Sequence, residues 1–151
     1  MRKQQKGFSL IELLIVVAII LIIAAIAIPN LLRSKMAANE ASAVGSMRTL
    51  NTASVAYSTT YGTYPPDIAN LGPATSPSST TADLIDSVLA GKSKSGYTFS
   101  WTAGTGNLSY SITAVPSTPG VTGQRDFYTD QSGVIRANAT GTADSASTPI
   151  S

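Results

Sequence analysis

The sequence predicts an α+β fold in which one long N-terminal helix lies on a small antiparallel sheet of three to four strands. Three observations predict it. Residues 8–28 are apolar apart from Ser9 and Glu12, and sixteen consecutive apolar residues run from Leu13 to Ile28. Beyond Pro29 the pattern becomes one-sided, with Leu32, Met36, Ala43, Met47, Leu50, Tyr57 and Tyr61 separated by three, four or seven residues, the period of one helix face. From Gly96 the period falls to two, as in strands covered on one side.

Residues 1–7 form a short basic leader containing Arg2, Lys3 and Lys6. Residues 8–29 are the apolar half of helix 1, and at about 1.5 Å per residue their apolar run spans roughly 30 Å, the thickness of a bilayer core. Residues 30–61 are the amphipathic half. No proline interrupts the chain between Pro29 and Pro65, so one helix from about Ser9 to about Thr60 is expected. Its stripe should bury against a domain, with Arg33, Asn39, Glu40 and Arg48 mainly on other faces. Gly62, Pro65 and Pro66 end the helix.

Residues 62–95 read as a loop region. A turn is expected at Asp67 to Leu71, and a short helix capped near Thr80 presents Leu84, Ile85, Val88 and Leu89 before Gly91 closes it. Residues 96–137 carry the sheet. Tyr97, Phe99 and Trp101 alternate with hydroxyl residues, and after the turn at 104–107 so do Leu108, Tyr110, Ile112 and Ala114. A second hairpin follows, Gln124 to Thr129 and Val134 to Ala137, joined by Asp130-Gln-Ser-Gly133. The tail, 138–151, has few large apolar residues and is expected to be mobile.

Composition narrows the chemistry. The chain of 151 residues has no Cys and no His, which removes thiol nucleophiles, imidazole bases and the commonest zinc ligands. An enzyme is not expected, and neither a cofactor nor a metal is assigned; Asp126 and Asp130 are two acids, too few for a hard-cation site. The net charge of +2 includes the leader, and without it seven basic residues face eight acidic ones. A broad basic field for nucleic acid is therefore missing, and nucleic acid is not an expected partner. Lys92 and Lys94 form the close basic pair that a local DNA patch would use.

Two details distinguish the apolar run from a plain anchor. Gly7 separates it from the leader, and Glu12 places a carboxylate one turn inside it. An acid within an apolar helix is costly and is usually paired or functional. If the chain is cut after Gly7, Phe8 gains a free amine, and a neighbouring copy displaced along the axis could bring that amine to Glu12 and so set the register. The alternative is a carboxylate that snorkels to water. Pro29 removes a hydrogen bond to Ala25, so a kink or melted turn is expected between Ala24 and Pro29, as a harmless bend or as a hinge. Ala25-Ile26-Ala27 also fits ordinary signal peptidase, which would begin the mature chain at Ile28, but the length of the run and its early acid are unlike an ordinary signal. An uncleaved anchor is weakened by Arg33 and Lys35 on the far side.

Lys6-Gly7-Phe8-Ser9-Leu10-Ile11-Glu12-Leu13, with the apolar helix and Pro29 behind it, resembles the class III signal of type IV pilins and of type II secretion pseudopilins. The resemblance covers about the first 50 residues, and the order of helix, loop and sheet is similar to the pilin fold. Asp130-Gln-Ser-Gly-Val-Ile-Arg136 also resembles the last hairpin of many pilin-like proteins. The resemblance implies cleavage between Gly7 and Phe8 by a prepilin peptidase and N-methylation of Phe8. It further implies a single-span precursor in the lipid of the bacterial inner membrane, extraction by an assembly platform with its ATPase, and a helical homopolymer at the cell surface held by the apolar helices. Glu12 would then pin the assembly register, and Pro29 would mark where the helix can kink or melt. The family's frequent C-terminal disulfide has no counterpart here. A type IV pilus subunit is the first reading, a type II secretion pseudopilin the second, and a pilin-like DNA-uptake or adhesion module the third.

Overall fold

The computed structural model describes residues 7–150, so Arg2, Lys3 and Lys6 of the leader lie outside the described residues. The chain divides into two compact units, Met1–Ser34 and Lys35–Ser151. A helix, α1, is assigned continuously over Leu10–Tyr61 and contributes to both, close to the expected bounds.

In the first unit no described side chain is buried. The apolar residues from Leu10 to Ile28 therefore have no partner within their own unit. The helix runs without a break through Ala24 to Pro29, with Pro29 inside it. Proline deletes one rung of the hydrogen-bond ladder, and the turns on either side retain theirs.

In the second unit the expected stripe is the buried face of α1. Ala43, Ser46, Met47, Leu50, Ala53, Ser54 and Tyr57 are buried at separations of three and four. The stripe begins later than expected, since Leu32 remains exposed and Met36 is only half-buried. Gly62 ends the helix with φ of 82°, and its N–H bonds the Ser58 carbonyl at 2.9 Å. A left-handed residue at this point suits glycine, which has no Cβ to clash.

The sheet has six strands rather than three or four, in the order β1-β2-β3-β4-β5-β6 with every pair antiparallel. They are β1 Ser93–Lys94, β2 Tyr97–Ala103, β3 Tyr110–Pro116, β4 Asp126–Asp130, β5 Arg136–Asn138 and β6 Thr148–Pro149. The four central strands are the two expected hairpins. The two extra strands are two residues each, too short to show a period of two. Leu108 falls outside β3 and is exposed, because residues 105–107 form a 3-10 turn instead of extending the strand.

Two further expectations are corrected. The short helix is one turn, α2 Ser87–Ala90, capped by the Asp86 carboxylate on Leu89 N–H at 2.8 Å rather than from Thr80. The N–H groups of Ala82, Asp83, Leu84 and Ile85 bond carbonyls of Asn70, Leu71 and Gly72, which holds that stretch against the 3-10 turn Ile68–Leu71 instead of in a helix. The tail is also tied down. Ala143 is buried, β6 pairs with β5, Ile150 packs on the core, and Arg136 donates to the Ser147 carbonyl at 3.0 Å.

The core lies between the α1 stripe and the inner sheet face of Tyr97, Phe99, Tyr110, Ile112, Ala114 and Phe127, joined by Ile68, Leu71 and Leu89. Leu50 is fully buried there. Leu50→Ala should cost about 2–5 kcal/mol in denaturant unfolding of the detergent-solubilised full chain, by lost transfer energy and the cavity left behind. Val55→Ala, on the exposed face, should stay within about 0.5 kcal/mol.

Candidate functional site

Gly7 and Phe8 precede the first turn of α1, and both are exposed. Among the described residues a Cβ at Gly7 would meet nothing within 4 Å, so their packing does not require glycine at this position. Ser9 occupies the position before the helix, and its backbone N–H donates to Glu12 Oε2 at 2.9 Å. The Glu12 side chain therefore folds back over the helix N terminus, where unpaired N–H groups and the helix dipole both favour a negative charge. Ser9-Leu10-Ile11-Glu12 has the spacing of a capping box, of which this bond is the acidic half. The Ser-x-x-Glu spacing is a signal for this cap in the sequence itself, masked by the apolar run that surrounds Glu12. The carboxylate is thus held at the Ser9 amide, the peptide unit that follows Phe8.

Behind this turn, α1 is long and apolar enough to cross a membrane, with a mean hydropathy of 3.3 over its most apolar window and none of that window buried. Length and composition alone give that result.

The second unit holds its own polar anchors, and here the expected outward placement of Asn39 and Glu40 is overturned. Asn39 Nδ2 donates to the Thr122 carbonyl at 2.8 Å. Glu40 accepts from the backbone N–H groups of Gln124 at 2.9 Å and Arg125 at 3.3 Å, and from Arg125 Nε at 2.8 Å. These bonds fasten the loop between β3 and β4 to the helix, and Arg125 also lies over the Phe127 ring. Burial pushes the Glu40 carboxyl up, but the N–H groups of Gln124 and Arg125 and the Arg125 guanidinium outweigh it, leaving the group below its ordinary value of 4.5. A depressed carboxylate contributes stability above its unfolded pKa and loses it as pH falls through the folded value. Glu40→Ala should therefore speed amide exchange at Gln124 and Arg125 near neutral pH, and the gap from wild type should close once acid has protonated Glu40.

Asn51 is a second anchor that the pattern did not reveal. Its Nδ2 donates to Thr129 Oγ1 at 2.9 Å and its Oδ1 accepts from Tyr110 OH at 3.0 Å, satisfying the buried threonine. Lys92 and Lys94, the basic pair considered for DNA, are each matched to a carboxylate, Asp67 at 2.7 Å and Asp86 at 2.9 Å. Asp126 and Asp130 lie on the outer side of β4, and among the described residues no cluster of three metal-ligating acids forms.

A family model described as the prokaryotic N-terminal methylation motif matches residues 2–28. The chain carries that motif. The methylation motif takes in the stretch from Lys6 to Leu13 and continues through the apolar run to Ile28. The chain is also similar to the type IV wide pilus major component PilA4 of Thermus thermophilus, at 60% identity over 38 residues. The shared stretch is 25% of this chain, and it spans 29% of that curated relative's length. No solved structure matches the chain. The methylation motif thus covers a stretch whose described apolar side chains are exposed in their own unit, while the helix-and-sheet unit is matched by neither comparison over most of its length.

Proposed function

We propose that the chain is a type IV pilin-like structural subunit, made as a single-span precursor and polymerised into a surface filament through its apolar helix. The observation that carries this reading is the methylation motif laid over a helix of membrane-crossing length with Glu12 one turn inside it. A prepilin peptidase cuts between Gly7 and Phe8, and the new Phe8 amine is methylated, which preserves its charge. The apolar side chains are first solvated by lipid and later by other copies of themselves. Such assembly is heterologous and open-ended, the symmetry that gives filaments rather than closed rings.

Within the filament Glu12 leaves its cap on Ser9 and pairs with the Phe8 amine of a neighbouring copy, because an unpaired carboxylate in an apolar core is penalised. Pro29 marks the weakest turn of the ladder, where extraction by the assembly platform and its ATPase would stretch the helix. The Thermus relative, named as a major pilus component, favours a pilus over a secretion pseudopilus. Intact mass and N-terminal sequencing of the mature chain test the processing steps. A methylated Phe8 start supports them, and an Ile28 or Met1 start defeats them. Electron microscopy tests the destination, since surface fibres lost on deletion indicate a pilus and a secretion defect without fibres indicates the pseudopilin.

A further inference from the structure

The end of the apolar run carries two polar side chains that the assembly scheme leaves unused. Past Ile28, α1 continues through Pro29, Asn30, Leu31, Leu32 and Arg33, all of them exposed and all within the first unit. Asn30 and Arg33 are three residues apart, the spacing that brings two side chains together on one helix face. Helical side chains lean toward the N terminus, so the Arg33 stem reaches back over the turn that holds Asn30. Among the described residues, side-chain hydrogen bonds on α1 stop at Glu12 and resume at Asn39, which leaves Asn30 and Arg33 unengaged. Arg33 also has no counter-charge there, since the ion pairs are Lys92–Asp67, Lys94–Asp86 and Arg125–Glu40. The chain has no acid between Glu12 and Glu40.

Depth says what these donors meet. From Leu10 to Ile28 the helix is about 28 Å long at about 1.5 Å per residue, which nearly fills a hydrocarbon core of about 30 Å. Arg33 lies five residues beyond Ile28, about 7.5 Å along the axis. The polar layer on each side of that core is about 5–7.5 Å deep. With the apolar run in lipid, the Arg33 guanidinium therefore stands at the level of the phosphates. Its flat fork gives two parallel N–H bonds to a phosphate, and the Asn30 amide supplies a further donor. A zwitterionic lipid carries its own cation for that phosphate, whereas an anionic lipid does not, so the unpaired guanidinium favours the anionic one. Lys35 falls in the second unit and is a point charge without the fork. A carboxylate of a second copy would also neutralise Arg33, but on the proposed route the span meets lipid first.

We propose that Arg33, helped by Asn30, binds the phosphate of an anionic phospholipid at the C-terminal end of the span and so fixes the depth of the precursor until it is extracted. This rests on the reading of residues 8–29 as a helix that crosses the bilayer.

The test embeds the full chain in vesicles of equal phosphatidylglycerol and phosphatidylcholine, with its leader neutralised by Arg2→Gln, Lys3→Gln and Lys6→Gln. The vesicles are dissolved in mild detergent, and complexes of chain and lipid are weighed intact by native mass spectrometry. Among complexes holding one lipid, phosphatidylglycerol should exceed phosphatidylcholine about fivefold, the preference that one basic side chain gives near an anionic surface. Arg33→Gln should bring the two lipids to parity. Arg33→Lys, which keeps the charge without the fork, and Asn30→Ala should each lose part of the preference, and Arg48→Gln in the second unit should lose none. An embedded chain without the preference, a preference unchanged in Arg33→Gln, or an equal loss in Arg33→Gln and Arg48→Gln overturns the proposal alone. So do lipid-free dimers of the chain that disappear in Arg33→Gln, which would assign the guanidinium to a second copy. Washing the vesicles with alkaline carbonate separates the deeper failure: a chain that washes out defeats the spanning helix and the lipid site together.

Discussion

Glu12→Ala is expected to be cleaved and methylated like wild type and yet to yield few or no filaments. The substitution removes the only acid between Phe8 and Ile28. Two contributions go with it. The first is local: the bond from Ser9 N–H at 2.9 Å is lost, and a helix cap is worth roughly 0.5–2 kcal/mol. The second operates only in the polymer, where a neighbour's Phe8 amine would be left without its counter-charge, and breaking a buried pair costs about 3–5 kcal/mol per contact. Repeated at every subunit, the second dominates. Glu12→Gln separates them, because the amide oxygen can still accept from Ser9 while the charge is gone. Filament yield measured by shearing and quantified against processed subunit should fall for both variants. Normal yield from Glu12→Gln would sink the charge-pairing account and leave only the cap.

Gly7→Leu should abolish processing and leave a full-length precursor in the membrane fraction, visible as a heavier intact mass that retains Met1. The described surroundings of Gly7 offer no structural reason for failure. Among the described residues a side chain there meets nothing within 4 Å, and Gly7 precedes the helix instead of packing in it. On the proposed processing scheme, the loss would then arise where a prepilin peptidase takes the Gly7–Phe8 bond into its own site. Mature filaments with a Phe8 start from this variant would end the processing scheme.

The regions legible in the sequence were those where one physical signal repeats. The apolar run, the stripe from Ala43 to Tyr57 and the alternation in β2 and β3 each extend over several turns or residues, so single exceptions do not blur them. What escaped was decided by isolated polar groups. Asn39 and Glu40 look like solvent residues on a helix wheel, and only the return of the loop at Thr122 to Arg125 gives them partners. Asn51 is likewise defined by Tyr110 and Thr129, residues far away in the chain. The tail misled for a related reason. Ala143 and Ile150 are too few to form a pattern, yet a small side chain and one anchor suffice when β6 completes the sheet edge. At the N terminus, Gly7, Phe8 and Glu12 stood out against a uniform background, whereas the cap by Ser9 needed attention to a four-residue spacing.

The strand order carries a consequence for how the subunit is made. Each strand pairs with the one that follows it in the chain, from β1 through β6, and none waits for a distant partner. Folding can therefore add the sheet one short loop closure at a time, a route whose entropic barriers are small and whose rate is correspondingly high. With no cysteine to oxidise, that route needs no thiol chemistry outside the membrane. Refolding of the domain should proceed at the same rate with or without a thiol reductant. A newly inserted precursor would then present a finished domain almost as soon as its chain has crossed.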